Sequence, residues 1–449
     1  MIDDADCGLR QKDSQLKRMI VKTIHPATHA KDAGRDAAEY EPECQCCPVG
    51  RSGHRIVATD NYIYSLGGFN PALSAVIGGF HPDQEAHGER GHPCLFKELW
   101  KFNLSTYKWQ LIDDFYSVPP TIASHTIAVL GRWLFLFGGT AIPFGETPTS
   151  SLYRYDLLAN PQAPLHGHGN EHGGQFGEQN ELVGTPSTAR SRWRLIPVEG
   201  EIPDERYGHT MTLRYPNVYI VGGTSGYIYN VDVYHLDLSA PVGKWTKLSS
   251  DGDPRQPVGR YRHETAFDGE KLFVFGGGTD RDAFSLNNVH TFNVSTCDWA
   301  TLKSFPDPQH GYPKPRKCHS CCQYQSDVFM VGGVSGTSHT YGATSFDDIW
   351  KFSMTTANWT KFSVTLPLPL YFHSAEIVPR KGLMYIFGGV TKMRETVVRT
   401  KRIVCMRVAV PELLELAWDV ICENLRDRWD DIDLNELGIP QSLHSRIFN

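Results

Sequence analysis

Six times along the chain a histidine is followed by a pair of glycines, 13 residues later in five cases and 15 in the sixth. The histidines are His54, His125, His209, His263, His319 and His373. The pairs begin at Gly67, Gly138, Gly222, Gly276, Gly332 and Gly388. One such match carries little weight. Six require that a single structural unit be repeated, and internal periods of this size belong to arrays and propellers. In "RYGHTMTLRYPNVYIVGG" (206–223) an alternating apolar run separates the histidine from the glycines. A second apolar run follows each pair, as in "ELWKFNLSTYKW", "VDVYHLDL", "NVHTFNVSTCDW" and "DIWKFSMTTANW". Each then reaches a hairpin turn and a strand with Trp109, Trp193, Trp245, Trp299 or Trp359. The period of two and the β-branched and aromatic content predict four short strands per unit.

This pattern resembles the kelch repeat, whose units are blades of a β-propeller. The resemblance covers residues 51–408 and implies an all-β, six-bladed propeller. The glycines are expected to let the backbone turn and pack closely near the axis. The last unit lacks a tryptophan strand, because "KRIVCMRVAV" runs into Pro411. A ring left open exposes a strand edge. "LKRMIVKTI" (16–24) has the strand pattern of "RWRLIPV", with Met19 in the tryptophan place, so strand Met19–Thr23 is expected to close blade six. The propeller then spans 16–408, after a disordered segment 1–15. Two wide gaps between glycine pairs, 71 and 84 residues against 54 to 56 elsewhere, place insertions near 70–96 and 157–190.

The chain has 449 residues and a formal net charge of −6, which gives no reason to expect nucleic-acid binding. Its start is too charged for a signal peptide. The most apolar stretch, 403–421, is broken by Arg407, Glu412, Glu415 and Asp419. A soluble protein of the cytosol or nucleus is expected, with no membrane contact and most of its 11 cysteines reduced. "ECQCCP" (Cys44, Cys46, Cys47) could be half a zinc site or an exposed loop. "CHSCC" (Cys318, Cys321, Cys322) lies inside a repeat unit, where His319 has a structural role. His166, His168 and His172 stand in a polar, glycine-rich insertion that reads as a loop. No metal or cofactor is expected.

The residue three before each repeat histidine is Arg51, Ile122, Arg206, Arg260, Arg316 or Leu370. In kelch propellers this strand start resembles the arginines that face the central basin. Converging cations repel and are costly to desolvate. An anionic ligand relieves that cost, and the arginine fork matches a carboxylate. The alternative is that each arginine pairs with an acid of a neighbouring blade. Arg262 and Arg281 are further candidates. Tyr207, Tyr261, Tyr371 and Phe372 adjoin these positions, and Tyr227 and Tyr229 follow a glycine pair. The set suits an extended peptide with a free carboxylate. No nucleophile elbow, phosphate loop or HExxH motif is present, so an enzyme is not expected. A copper oxidase on this fold would need bound metal.

After Pro411 the apolar period lengthens to that of a helix, with Leu413, Leu414, Ala417, Ile421 and Leu425 on one stripe and Trp418 and Cys422 widening it. A helix capping the propeller is one reading. The stretch also resembles a BC box, which docks into Elongin C through Leu413, Ala417 and Ile421. Ala417 stands where cysteine is usual. "IPQSL" resembles a cullin-2 box through Ile439, Pro440 and Leu443. The whole chain therefore resembles the kelch-domain substrate receptors of cullin-2 ubiquitin ligases, with 409–449 as the docking tail. The resemblance implies a non-catalytic subunit that binds substrate C-termini ending in glycine or another small residue. Its implied partners are Elongin B/C and cullin-2 with its RING subunit. The alternative is a kelch scaffold tethering signalling or cytoskeletal proteins.

Overall fold

Between each repeat histidine and its glycine pair the chain makes one antiparallel hairpin. In the third unit Thr210–Arg214 pairs with Asn217–Thr224, Thr210 lying opposite Val221. Tyr229–Asp237 and Gly243–Lys247 extend the sheet outward. The same order recurs around a closed ring of six blades in this computed structural model. The structure describes residues 21–25, 46–73, 94–113, 117–158, 192–250, 252–336, 343–393, 396–425, 428–429 and 432–447. Both proposed insertions lie largely outside these residues, as do Met19, Cys44, His166, His168 and His172.

Blade one comprises Arg55–Ala58, Tyr62–Leu66, Leu99–Asn103 and Trp109–Asp113. Blade two comprises Thr126–Leu130, Trp133–Phe137, Leu152–Asp156 and Trp193–Leu195. Blade four runs from Glu264–Phe267 through Lys271–Phe275 and Asn288–Asn293 to Asp298–Lys303, and blade five from Ser320–Tyr324 through Asp327–Val331 and Ile349–Ser353 to Trp359–Lys361. Blade six takes Ser374–Val378, Leu383–Phe387 and Ile403–Arg407 from the C-terminal side. Its outer strand is Val21–Ile24, antiparallel to Ile403–Arg407 with Ile24 opposite Ile403. Val21–Thr23 falls within the expected Met19–Thr23, whose first two residues lie outside the described residues. Blade three carries an edge strand absent from the sequence reading: Val198–Gly200 pairs in parallel with Gly243–Lys247. A two-stranded hairpin, Val390–Met393 with Thr396–Arg399, projects from blade six.

The recurrent histidines and glycines make the joints between blades. A Cβ on Gly222 would stand 2.8 Å from the His263 ring of the next blade, and one on Gly223 would stand 2.9 Å from the Cβ of His209 in its own blade. Both glycines have positive φ (62° and 100°), which favours glycine on backbone grounds as well. Each histidine is therefore wedged between its own second glycine and the first glycine of the preceding blade. The six rings are buried, and Oγ1 of Thr126 lies 2.8 Å from Nε2 of His209. Burial holds them neutral: His125, His263 and His373 fall to about 3, and His54, His209 and His319 fall well below the usual imidazole value.

The tryptophans lock the next layer. Trp109, Trp245 and Trp359 pack on Phe387, Phe137 and Phe275, the residues just before the preceding blades' glycine pairs. Truncating such a side chain costs about 3–5 kcal/mol.

In the sixth unit the 15-residue spacing is a hairpin tip two residues longer. That tip carries Lys381, 3% exposed, which meets Asp419 at 2.8 Å and Glu415 at 3.4 Å. Both acids lie on the tail helix Leu413–Leu425. Glu415 also takes a bidentate pair from Arg446, at 2.9 and 3.1 Å. The irregular repeat thus anchors the tail to the propeller. Among the described residues no helix is long and apolar enough to cross a membrane.

Candidate binding face at the mouth of the propeller

The residue immediately before each repeat histidine builds the mouth. Gly53, Ser124, Gly208, Arg262, Cys318 and Phe372 all have φ between 54° and 68°. Their backbones form a closed circle of hydrogen bonds. The N–H of Ser124 donates to Gly53 (2.8 Å), Gly208 to Ser124 (2.8 Å), Arg262 to Gly208 (2.8 Å), Cys318 to Arg262 (3.1 Å), Phe372 to Cys318 (2.9 Å) and Gly53 to Phe372 (3.3 Å). The left-handed conformation costs about 1–2 kcal/mol at a residue with a Cβ. The circle offsets that cost and leaves Arg262 and Phe372 partly exposed, while Ser124 and Cys318 are buried.

Arg262 is the cation of this ring. Its guanidinium lies over Phe372 at 4.5 Å and near Tyr261 at 5.9 Å, and donates to Oγ of Ser124. Its Nε is buried with no partner among the described residues, and burial lowers its pKa. Tyr229 packs on Tyr261 with ring centres 5.2 Å apart, and Tyr371 on Phe372 at 5.5 Å, both pairs tilted. Tyr207 lies half-buried on the neighbouring blade. The hydroxyl of Tyr229 accepts the Asp280 N–H at 3.0 Å, and Nζ of Lys317 donates to the Thr279 carbonyl. These bonds hold the 279–282 loop at the rim. Arg281, on that loop, and Tyr227 project into solvent, with Tyr227 88% exposed beside exposed Ile228. Arg399 lies over Phe69 at 5.6 Å on the opposite side of the rim. Deeper on the axis, Arg55 of blade one reaches across to Glu264 of blade four at 2.9 Å. Glu376 beside them is pushed up to about 7, chiefly by burial.

The arginines three before the histidines do not form the floor of a basin, which corrects the sequence expectation. Arg51, Arg206 and Arg316 have no solvent exposure, and Arg260 has 3%. Each donates its Nε to the carbonyl two residues back and Nη1 to the first glycine of its own pair. Arg51 then pairs with Glu98 (2.8 Å), Arg206 with Asp232 (2.7 Å) and Arg316 with Asp348 (2.6 Å), all within one blade. A fully desolvated guanidinium needs such partners. These acids leave no periodic trace in the sequence, because they follow the glycine pairs after loops of unequal length. Gly53 and Gly208 were the available signal for the true ring, since glycine marks positive φ.

Among the described residues no group of three or more His, Cys, Asp or Glu side chains is placed to hold a metal ion. Cys318 is buried with its thiol pushed up to about 11, so it stays protonated, and Cys321 and Cys322 are raised as well. Cys46 is disulfide-bonded, which removes it from a thiolate set.

At the far side of the molecule the tail helix divides its apolar residues. Glu415, Trp418 and Cys422 are buried, and the Trp418 indole donates to Ser105 of blade one at 2.8 Å. Leu413 is 82% exposed, with Leu414, Leu416, Ala417 and Val420 also outward and Ile421 partly covered. The inward stripe is thus Trp418 and Cys422 rather than Leu413 and Ala417. Ile439 is buried in the tail's own small core with Trp429 and Leu434, and Leu443 packs against it. Pro440 alone of the three expected cullin-docking residues is exposed.

Residues 167–389 match the family model described as the KLHDC2/KLHL20/DRC7 Kelch-repeats domain. Kelch domain-containing protein 10 of Rattus norvegicus is 35% identical over 404 residues, covering 89% of this chain and 86% of that protein. The Homo sapiens protein of the same name is also 35% identical, over 89% of this chain and 80% of its own length. Kelch domain-containing protein 2 of Bos taurus is 26% identical over 87% of this chain and 90% of that protein. Kelch propellers of this kind are generally non-catalytic interaction modules. With the six blades and the repeated histidine–glycine joints, these matches show that the chain belongs to the kelch domain-containing protein 10 family.

Proposed function

We propose that this chain is the substrate-recognition subunit of a cullin-2–Elongin B/C ubiquitin ligase. The observation that carries the reading is the tail helix. Its Glu415–Trp418–Cys422 face is tied to the propeller, while Leu413, Ala417 and their neighbours stand outward with nothing of this chain over them among the described residues. A capping helix would turn its leucines inward. An outward stripe at this spacing suits a partner helix groove, which the BC-box reading assigns to Elongin C. The segment around Pro440, at the end of the same tail, is assigned to cullin-2. Eight of the nine described cysteines are free, which suits a reducing compartment such as the cytosol or nucleus, the disulfide at Cys46 being the exception.

The opposite end of the propeller receives the substrate. Arg262, ringed by Tyr207, Tyr261, Tyr371 and Phe372, takes the terminal carboxylate of a chain ending in glycine or another small residue. Arg281, Tyr227 and Tyr229 contact residues further from the terminus. Docking at one end and recognition at the other bring a ubiquitin-charged enzyme near substrate lysines, so proximity supplies the rate.

The test is co-purification of Elongin B/C and cullin-2 with the full chain and with Leu413→Arg. A charge there removes apolar burial of about 1.5–3 kcal/mol and adds a desolvation penalty. Leu413 is exposed in the free chain, so the variant should fold normally and lose Elongin C. Normal capture by the variant would overturn the BC-box assignment. Failure of the wild type to capture Elongin C would favour a scaffold without ligase function.

A further inference from the structure

Blade four breaks a rule that the other five blades keep. In blades one, three and five the arginine before the histidine is matched by an acid one residue before the third-strand residue that pairs with the last residue ahead of the glycine pair. The register is the same each time: Leu66 opposite Leu99 after Glu98, Val221 opposite Val233 after Asp232, and Val331 opposite Ile349 after Asp348. Blades two and six have Ile122 and Leu370 in the arginine's place, and Ser151 and Arg402 in the acid's. Arginine and acid are present together or absent together. In blade four, where Val274 lies opposite His290, Arg260 is kept and Asn288 stands in the acid's position.

The rest of the arginine's surroundings is intact. Nε of Arg260 donates to the Val258 carbonyl and Nη1 to the Gly276 carbonyl, both at 3.1 Å, and the guanidinium lies over Phe284 at 4.7 Å. In Arg206 and Arg316, Nη2 donates to the second carboxylate oxygen. In Arg260, 97% buried by its 3% exposure, Nη2 has no such partner among the described residues. Arg260 borders a cavity of about 780 Å³ lined also by Gln256, Phe284, Asn288, His290 and Trp299 among others, with no aspartate or glutamate in the wall. Oε1 of Gln256 is buried there with no partner among the described residues. Arg255, also in the wall, is already held by Asp253 and Asp298. Burial without a counter-ion lowers Arg260 to about 10, and burial with the nearby Arg260 lowers His290 to about 4. Arg260 is therefore the uncompensated charge of the cavity.

We infer that this cavity is a binding site for a carboxylate supplied from outside the blade, held by the Nη2 edge of Arg260 in the place that Glu98, Asp232 and Asp348 fill in the other blades. The orphan carbonyl of Gln256 accepts an N–H or O–H of the same ligand. A planar carboxylate fits better than a phosphate, because one guanidinium edge offers a single cation and the three sister sites all hold carboxylates. The site is built by blade four and the 254–260 segment. It is separate from the Arg262 ring and does not depend on the ligase reading.

The full chain is titrated calorimetrically with succinate, with N-acetylglutamate amide and with neutral N-acetylglutamine amide. The same titrations are run on Asn288→Asp, which gives blade four the internal carboxylate of its sisters and leaves Arg262 untouched. The acids should bind wild type at least tenfold more tightly than the neutral amide. Asn288→Asp should weaken acid binding at least tenfold while raising the melting temperature. A tenfold preference for the blocked glutamate over succinate assigns the carboxylate to a polypeptide side chain, and equal binding assigns it to a small dicarboxylate. Acids bound no better than the neutral amide, or unchanged acid affinity in Asn288→Asp, would overturn the site.

Discussion

Arg260 and Arg262 stand two residues apart, yet one is drawn back into its blade beside the cavity and the other belongs to the ring about the axis. The backbone makes the difference. Arg260 precedes the ring and is drawn back to the glycine pair, whereas Arg262, at φ 57°, is a member of it. Two outcomes should separate the classes. Arg316→Ala leaves the partly buried Asp348 beside Trp350 without its counter-ion and is expected to cost about 3 kcal/mol of folding stability, read from urea unfolding. Stability equal to wild type would contradict the structural role. Arg262→Ala should unfold near the wild-type midpoint, because its ring bond is made by the backbone. The alternating runs and glycine pairs were readable because every blade must solve the same close-packing problem with the same small residue. The role of Arg206 was not, because its partner Asp232 lies on another strand and pairing across a sheet leaves no periodic trace.

At the scale of elements, two segments are held by contacts far away in sequence. Val21–Ile24 completes blade six, so deleting residues 1–24 uncovers the edge of Ile403–Arg407. The expected result is a lower melting temperature and concentration-dependent association, seen by light scattering. A deletion variant as stable and monodisperse as wild type would show that this strand does not close the ring. The tail depends on Glu415 between Lys381 and Arg446. Glu415→Ala strands the buried Arg446 and leaves Lys381 with Asp419 alone, at a cost of about 3–5 kcal/mol, and should make 409–425 sensitive to limited proteolysis while the blades stay resistant. The donor strand could be read because blade six visibly lacked a fourth strand and the chain offered a matching pattern elsewhere. The edge strand Val198–Gly200 could not: three residues, two of them exposed, pair in parallel and carry no alternation to detect. The tail's inward face was not legible, because tryptophan and cysteine flank the leucine stripe and periodicity alone does not say which side meets the propeller.

For the whole molecule, the six buried histidines set the response to acid. They are neutral when folded, whereas the unfolded chain protonates near pH 6.5. Protons therefore favour unfolding, and stability should fall as pH drops from about 6.5 toward about 3. Between pH 7 and 5.5 each histidine contributes a loss of roughly 1 kcal/mol. Glu376, raised to about 7, works in the opposite direction but is one group against six. Urea unfolding at the two pH values should show a net loss of several kcal/mol, and equal stabilities would contradict the burial of the histidines in their charged-averse joints. The central claim is that the mouth of this propeller reads a free C-terminus through Arg262. It is tested most directly by titrating a glycine-ended peptide, as free acid and as C-terminal amide, into wild type and Arg262→Ala. Wild type should prefer the acid by roughly 2–5 kcal/mol, Arg262→Ala should lose that preference, and the two losses should not add because both delete one interaction. Equal binding of acid and amide to wild type would contradict the account.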